Sequence, residues 1–164
     1  MTETQSVDYE GIPCETEPVE RDLHQRLKDI NAINKIVFPK GFFDEKEITE
    51  GLDHRRSVLV LLKRSDTREI VGYGLAVPTY NKTDVAHYVA NAIIPELQGK
   101  GHIVAISHAV EDGLRDKGFV KLTRETRVAG GYADKVRSAY GNRILKETKT
   151  KNKLGDAIEF EIQL

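Results

Sequence analysis

Three apolar segments of strand length follow one another between residues 57 and 94, with a short polar turn between each pair. Residues 57–63 read SVLVLLK, residues 69–80 read EIVGYGLAVPTY, and residues 85–94 read VAHYVANAII. Runs of this length that are rich in β-branched and aliphatic side chains favour strands, and such short turns join neighbouring antiparallel strands. The segment therefore predicts a three-stranded antiparallel meander.

A glycine-rich turn, Gly99-Lys100-Gly101, follows the third segment and leads into a helical pattern over residues 102–117. The apolar residues of that pattern recur at intervals of three and four, at Ile103, Ile106, Val110 and Leu114. A strand that ends in such a turn and opens into a helix directs free backbone N–H groups and the positive end of the helix dipole at one place, which favours an anion. The alternative is a turn that only caps the helix.

Two familiar phosphate-binding motifs are absent from the sequence. It reads neither G-x-x-x-x-G-K-S/T nor G-x-G-x-x-G with an acidic residue about twenty positions later. The turn therefore indicates neither a P-loop NTPase nor a dinucleotide-binding fold.

The rest of the chain alternates between strand and helix patterns. Before the meander, the sequence predicts a weak strand near residues 12–16, an amphipathic helix that ends before Pro39, and a short helix from Asp44 to about Leu52. Later it predicts a strand at 119–126, a short helix at 132–140, and a hairpin of residues 144–149 and 157–163. We expect one domain over residues 11–164, preceded by a flexible acidic tail over residues 1–10.

Composition limits the class of protein further. The chain has 164 residues, of which 39% are hydrophobic and 31% charged, as expected of one domain with one core. The single cysteine, Cys14, has no disulfide partner and no neighbouring zinc ligands, so no metal site is predicted. No apolar stretch is long enough to span a bilayer and the start lacks a signal-peptide pattern, so we expect a cytoplasmic protein without a membrane partner.

The net charge of −1 is unevenly distributed. Residues 1–22 contain seven acidic side chains and one basic side chain, which leaves 24 basic and 19 acidic ones in the remainder. This mildly basic body suits an anionic ligand, although a solvated surface of mixed charge has the same composition. Its basic density is below that of dedicated nucleic-acid binders, so nucleic acid is not an expected partner.

The segment around the glycine turn resembles the acyl-CoA-binding segment of the GNAT family of N-acetyltransferases. That family's signature, Q/R-x-x-G-x-G/A after Pro-Glu, is matched by Gln98 and Gly101 after Pro95-Glu96, and its Gly-Phe pair after the helix is matched by Gly118-Phe119. The order of elements also agrees from about residue 11 to the C-terminus. The resemblance implies the GNAT acyl-CoA N-acyltransferase fold, an α/β structure whose mixed, mostly antiparallel sheet is flanked by helices.

The resemblance also implies where acetyl-CoA, the expected cosubstrate, would bind. Its pyrophosphate would lie on the backbone N–H groups of Gln98, Gly99, Lys100, Gly101, His102 and Ile103. Its pantetheine arm would run beside the third meander strand at Ala92, Ile93 and Ile94, where this strand separates from its neighbour. The family prefers glycine or alanine in place of Ile103, whose side chain either joins the core stripe with Ile106 or faces outward and weakens cofactor binding.

Tyr140 is the candidate general acid. It lies in the short helix where the family often carries a tyrosine that protonates the departing thiolate, although Ala133 and Val136 depart from the family's pattern. A tyrosine hydroxyl, with an ordinary pKa near 10, protonates a thiolate without being ionised itself at neutral pH. The alternative is a half-buried helix aromatic.

His87, on the third meander strand, is the candidate general base. It stands near the place where some relatives carry a catalytic glutamate, and histidine side chains ordinarily titrate near neutral pH. Glu125, Tyr88 and a chain of water molecules are the alternatives for this role. The two histidines of the motif helix, His102 and His108, are expected to be exposed, with His102 beside a phosphate.

These assignments predict an N-acetyltransferase in which a primary amine attacks acetyl-CoA directly. The acceptor, a small molecule or a protein lysine or N-terminus, would enter over residues 38–50 and the turn at 80–83. The acidic residues there, which would attract a cationic amine, are Asp44, Glu45, Glu47 and Glu50, and Phe42 and Phe43 would form an aromatic wall of the site. The alternative for these residues is an acidic helix start and two core aromatics. The alternative is a catalytically silent GNAT-like domain that regulates by binding acyl-CoA or a protein. Either a monomer or a homodimer is expected.

Overall fold

The computed structural model describes residues 6–9, 12–38, 44–152 and 155–164, which form an eight-stranded sheet with helices on both faces. The strands are β1 (Ser6–Tyr9), β2 (Ile12–Val19), β3 (Val58–Arg64), β4 (Ile70–Pro78), β5 (Val85–Ile93), β6 (Lys121–Arg127), β7 (Ile144–Asn152) and β8 (Gly155–Gln163). The helices are α1 (Leu27–Val37), α2 (Glu45–Asp53), α3 (His102–Asp116) and α4 (Tyr132–Tyr140).

The sheet has the strand order β1-β2-β3-β4-β5-β6-β8-β7. Every neighbouring pair is antiparallel except β5 and β6, which are parallel and are connected through α3. The predicted mixed, mostly antiparallel sheet with flanking helices is therefore confirmed, and so is the meander, which is β3-β4-β5. None of the helices in the described ranges is long and apolar enough to cross a membrane.

The N-terminal hairpin differs from the sequence prediction. Residues 6–9, assigned to a flexible tail, form β1 and pair with β2, so that Ser6 lies opposite Glu15 and Tyr9 opposite Ile12. An edge strand needs only backbone partners on one side, so its side-chain pattern gives little signal. The rest of the predicted tail, residues 1–5 and 10, lies outside the described residues. On β2, Cys14 is fully buried, and burial raises the pKa of its thiol.

One face of the sheet is covered by α1 and α2. Ile30 of α1 and Ile48 of α2 are buried against Tyr73 and Leu75 of β4. The start of α2 is fixed by Asp44, whose side chain accepts a hydrogen bond of 3.0 Å from the Glu47 backbone N–H, as the sequence predicted. The predicted aromatic wall, Phe42 and Phe43, lies outside the described residues.

The other face is covered by α3, whose buried side agrees with the prediction except in the first turn of the helix. The buried residues of α3 are His102, Ala105, Ile106, Ser107, Ala109, Val110, Glu111 and Leu114. His102 is only 1% exposed, whereas Ile103 is 40% exposed. The expectation of an exposed His102 is therefore wrong, and of the two alternatives for Ile103 the structure has the outward one. Both residues fit the helical period of Ile106, at spacings of four and three, but in the first turn of α3 it is His102 that is buried.

The two parallel strands separate soon after they meet. Their pairing runs only from Val85 opposite Lys121 to His87 opposite Thr123. Beyond these pairs, β5 continues to Ile93 and β6 to Arg127 without pairing to each other, in a part of the chain that the structure describes fully. Val89 adds an irregularity, because the register of β4 and β5 shifts there. The sheet therefore opens between β5 and β6.

Candidate functional site

A cleft of about 770 Å³ occupies the opening between β5 and β6, with α3 and α4 on its sides. Its floor includes Asn91, Ala92 and Ile93 of β5 and the last four residues of β6, 124–127. The side formed by α3 presents Ile103, Val104, Ser107, His108 and Glu111, and the side formed by α4 presents Tyr132, Lys135, Val136, Ala139 and Tyr140. The cleft thus combines an apolar wall with a polar end near Tyr140.

The glycine turn closes one end of this cleft. Gly99 and Gly101 have φ values of 76° and 85°, in the left-handed region that glycine adopts without a steric penalty. Gly101 is the residue immediately before α3, so the unpaired N–H groups of the first helical turn begin there. A Cβ added at Gly99 would meet no atom within 4 Å, which leaves open space beside the backbone. The Gln98 side chain braces the turn by donating a 2.9 Å hydrogen bond to the Ile93 carbonyl.

The nine predicted cofactor residues fall into two groups. Five of them line the cleft, namely Ala92, Ile93, Gln98, Gly99 and Ile103. The other four, Ile94, Lys100, Gly101 and His102, belong to the same strand end and turn but do not line it. The buried His102 side chain does not take the predicted place beside a phosphate, and burial together with nearby Lys100 lowers its pKa.

Tyr140 lies at the polar end of the cleft, at the end of α4. Its side chain is 7% exposed, and its hydroxyl accepts a 3.0 Å hydrogen bond from Arg124 and donates one of 3.2 Å to Glu111. Burial raises the pKa of Tyr140 above its usual value, and the positive charge of Arg124 partly opposes this effect. The hydroxyl is consequently protonated at neutral pH and is held by two partners.

Glu111 is itself held by two arginines. Glu111 is only 2% exposed, and its carboxylate oxygen lies 2.5 Å from a guanidinium nitrogen of Arg143 and 3.6 Å from one of Arg115. A buried carboxylate requires such partners, because an unpaired charge in the protein interior is strongly unfavourable. The negative charge beside Tyr140 is therefore already matched by positive charge.

His87 lies on the other side of the sheet from Tyr140. Its neighbours on β5, Ala86 and Tyr88, pack into the core under α3, so the alternation of a strand directs His87 toward the face of α1 and α2. Its Nδ1 atom is 2.8 Å from the Thr123 hydroxyl, at the last residue pair before β5 and β6 separate. His87 does not line the cleft. It lies at the point where β5 and β6 separate, which we call the seam.

Two acidic residues lie near this seam. Burial raises the pKa of Glu47, at the start of α2, while His87 acts on it in the opposite direction. Glu125 lines the cleft and accepts hydrogen bonds of 3.1 Å from Thr150 and 2.7 Å from Asn152. Two carboxylates, those of Glu47 and Glu125, therefore lie near the point where β5 and β6 separate.

Arg124 and Glu111 were not identified from the sequence. In the sequence, Arg124 reads as one of several charged residues on an exposed strand, and Glu111 as a charged residue on a helix. Their partners are distant along the chain, since Arg124 and Tyr140 are 16 residues apart and Glu111 and Arg143 are 32 apart. No local spacing rule connects such residues.

The chain is similar to known proteins in structure and not in sequence. No family model matches the sequence, and no curated protein sequence does. Among solved structures, the Escherichia coli ribosomal-protein-S18-alanine N-acetyltransferase aligns with a TM-score of 0.70 and 17% identity, covering 90% of this chain and 93% of that one. The GNAT domain of S. lividans PAT aligns with a TM-score of 0.65 and 16% identity, covering 98% and 97%.

A third solved structure contains a ligand. It is a GNAT family acetyltransferase from Elizabethkingia anophelis with acetyl-CoA bound, which aligns with a TM-score of 0.62 and 15% identity, covering 92% of this chain and 98% of that one. The chain therefore has the fold of the GNAT acetyltransferases. The resemblance of its sequence to that family is confirmed at the level of the fold.

Proposed function

We propose that the protein is an acyltransferase that transfers an acetyl group from acetyl-CoA to a primary amine. The observation that carries the proposal is the cleft, because three features meet around it: the separated ends of β5 and β6, the glycine turn before α3, and the Tyr140 hydroxyl. Support also comes from the acetyl-CoA in the Elizabethkingia anophelis protein of the same fold. The cleft offers a place for a phosphate at one end and a proton donor at the other.

The cofactor end of the proposal rests on backbone groups. The open space at Gly99 and the start of α3 suit a phosphate, and Lys100 adds a positive charge to the same turn. The edge of β5 beyond His87 has no strand partner on the side of β6, so its backbone groups suit the amide-rich pantetheine arm. We therefore propose that Ala92 to Ile94 and Gln98 to Ile103 hold acetyl-CoA.

The chemical step needs an acid and a base in addition to this binding. We propose that Tyr140 gives its proton to the departing thiolate, while backbone N–H groups of β5 polarise the thioester carbonyl. On the other face, the acceptor amine approaches the seam near His87, which is the proposed base. Glu47 and Glu125 would favour the approach of a cationic amine. The acyl group passes through the opening between the strands.

The test of the proposal is titration calorimetry with acetyl-CoA, free CoA and desulfo-CoA, followed by a thiol-release assay with a panel of amines. We expect micromolar binding of all three and thiol release with at least one amine from lysine, spermidine, an aminoglycoside and a peptide with a free N-terminus. No binding of any of the three would overturn the proposal. Binding without thiol release would favour the silent regulatory domain, an alternative that the exposed Ile103 side chain in the cleft also favours.

The assignment of His87 as the base predicts different effects for two variants that each place a glutamine in the site. With saturating acetyl-CoA, His87→Gln is expected to lower kcat by about a hundredfold, the scale of general-base catalysis. Glu125→Gln should change kcat by less than about threefold and act mainly on the KM of a cationic acceptor, as expected for a side chain that only attracts charge. A larger loss of kcat in Glu125→Gln would move the base to Glu125. Unchanged kcat in both variants would assign proton removal to water.

A further inference from the structure

Arg124 carries a positive charge into the cleft without a matching carboxylate. Among the residues that the structure describes, its guanidinium group forms no ion pair. It donates to the Tyr140 hydroxyl at 3.0 Å and lies over the Tyr88 ring at 4.5 Å from the ring centre. A half-buried cation whose direct partners are uncharged stabilises negative charge that develops beside it.

Arg56 provides a contrast, because it is also a half-buried arginine stacked on a core aromatic ring. It lies 4.1 Å from the centre of the Phe119 ring and donates to the backbone carbonyls of Thr83 and Lys117. Those two hydrogen bonds fix its position. Arg124, by comparison, donates a side-chain hydrogen bond to a hydroxyl group that loses a proton in the proposed reaction.

The other charged groups around Tyr140 cancel one another. Glu111 of α3 accepts a hydrogen bond from the Tyr140 hydroxyl and is paired with Arg143 and Arg115. Arg115 is also paired with Asp112 at 3.1 Å, so two carboxylates match these two arginines. Arg143 lies 5.3 Å from the centre of the Tyr140 ring. The surplus positive charge beside the Tyr140 oxygen therefore comes from Arg124.

We propose that Arg124 is a positioning residue for Tyr140: it fixes the hydroxyl and compensates the negative charge that remains when Tyr140 protonates the departing thiolate. This inference rests on the proposed function. In the step, the amine nitrogen forms a bond to the thioester carbon, and the carbon–sulfur bond breaks with its electron pair on sulfur. The Tyr140 proton moves to that sulfur, and the amine gives a proton to the base. Tyr140 is left as a phenolate beside Arg124 and is reprotonated by water.

The first test measures the acidity of residue 140 in the free protein and needs no activity. Difluorotyrosine placed at position 140 lowers the phenol pKa into a range where the protein is folded, and ¹⁹F NMR follows its titration. The pKa of this residue should be higher in Arg124→Met than in the parent, because removal of a nearby cation disfavours the phenolate. Arg124→Lys keeps the charge and should fall between the two. An unchanged pKa in Arg124→Met would overturn the proposal.

The second test separates binding from turnover. Arg124→Met is expected to lower kcat by about ten- to a hundredfold, within the range of general-acid effects, while the Kd for acetyl-CoA changes less than about threefold. The alkaline limb of its pH–rate profile should move to higher pH, which a purely structural role would not cause. Arg56→Met is the matched control, because it removes a stacked arginine away from the cleft and should keep kcat and the limb unchanged.

The outcomes distinguish this inference from the proposed function. Equal losses of kcat in Arg124→Met and Arg56→Met would overturn the role of Arg124. So would an alkaline limb of the Arg124→Met pH–rate profile that stays at the pH of the parent. If the unmodified protein binds acetyl-CoA but releases no thiol with any amine, the proposed function fails. The ¹⁹F titration then still decides whether Arg124 controls the acidity of Tyr140.

Discussion

Gly101→Glu is expected to weaken acetyl-CoA binding by at least about a hundredfold, a loss of about 2.7 kcal/mol or more. Gly101 stands directly before α3, so a glutamate there places a negative charge at the helix start where the phosphates are proposed to bind. It also forces a residue with a Cβ into a backbone conformation with a φ of 85°. The measurement is titration calorimetry, together with a thermal melt that reports whether the variant is folded.

The matched control is Gly118→Glu. Gly118 has a φ of 88° and open space around it, but it follows α3 at the end away from the turn. This variant has the same added charge and the same backbone strain, so it should lose thermal stability and retain the parent Kd. If both variants bind acetyl-CoA like the parent, the phosphate assignment is wrong.

Ile103→Ala tests the same end of the cleft in the opposite direction. The Ile103 side chain is 40% exposed and lines the cleft next to the turn, where it keeps an apolar surface beside the proposed phosphate position. Its truncation should tighten acetyl-CoA binding severalfold. A weaker Kd would instead mean that Ile103 makes an apolar contact with the ligand.

Tyr140→Phe is expected to lower kcat by about a hundredfold while the Kd for acetyl-CoA stays within about twofold of the parent. The variant removes the proposed proton donor and retains the buried aromatic ring at the last residue of α4. Glu111 keeps its contacts with Arg143 and Arg115, so its buried carboxylate remains paired. Stopped-flow measurement of thiol release at saturating acetyl-CoA gives kcat without a contribution from binding.

Tyr73→Phe is the control for removing a buried tyrosine hydroxyl. Tyr73 is fully buried on the other face of the sheet, and its hydroxyl donates a 2.8 Å hydrogen bond to Asn34. The variant should lower the free energy of unfolding by about 1 kcal/mol and leave kcat unchanged for the folded fraction. Equal kcat values for Tyr140→Phe and the parent would remove Tyr140 from the mechanism.

The regular part of the fold was predictable because its signals are local. The meander strands are apolar runs bounded by short turns, and Asp44 stands where a helix cap is needed, so each element could be located from a few adjacent residues. The strand β1 could not, since backbone pairing at a sheet edge imposes no side-chain pattern. The first turn of α3 is an intermediate case. His102 and Ile103 both fit the helical period, and only the packed sheet decides which of them is buried.

The glycine turn of the candidate site was predictable from the sequence, but the hydrogen-bond network around Tyr140 was not. Gln98, Gly99 and Gly101 lie within one short segment of the sequence, and the glycines indicate a backbone conformation that other residues rarely adopt. The partners of Tyr140 come from β6 and α3, 16 and 29 residues away along the chain. Their contact depends on where β5 and β6 separate and on how α4 lies across the opening. These are properties of the assembled sheet, so no motif in the sequence contains them.

The burial of Cys14 on β2 determines what thiol reagents report in this protein. Only the thiolate reacts, and Cys14 is fully enclosed with a raised pKa, so the folded chain should give no signal with a disulfide dye. Any colour that develops during turnover then comes from released CoA. After denaturation the same dye should detect one equivalent of thiol per chain, because Cys14 is the single cysteine. One reagent therefore counts both product molecules and unfolded chains.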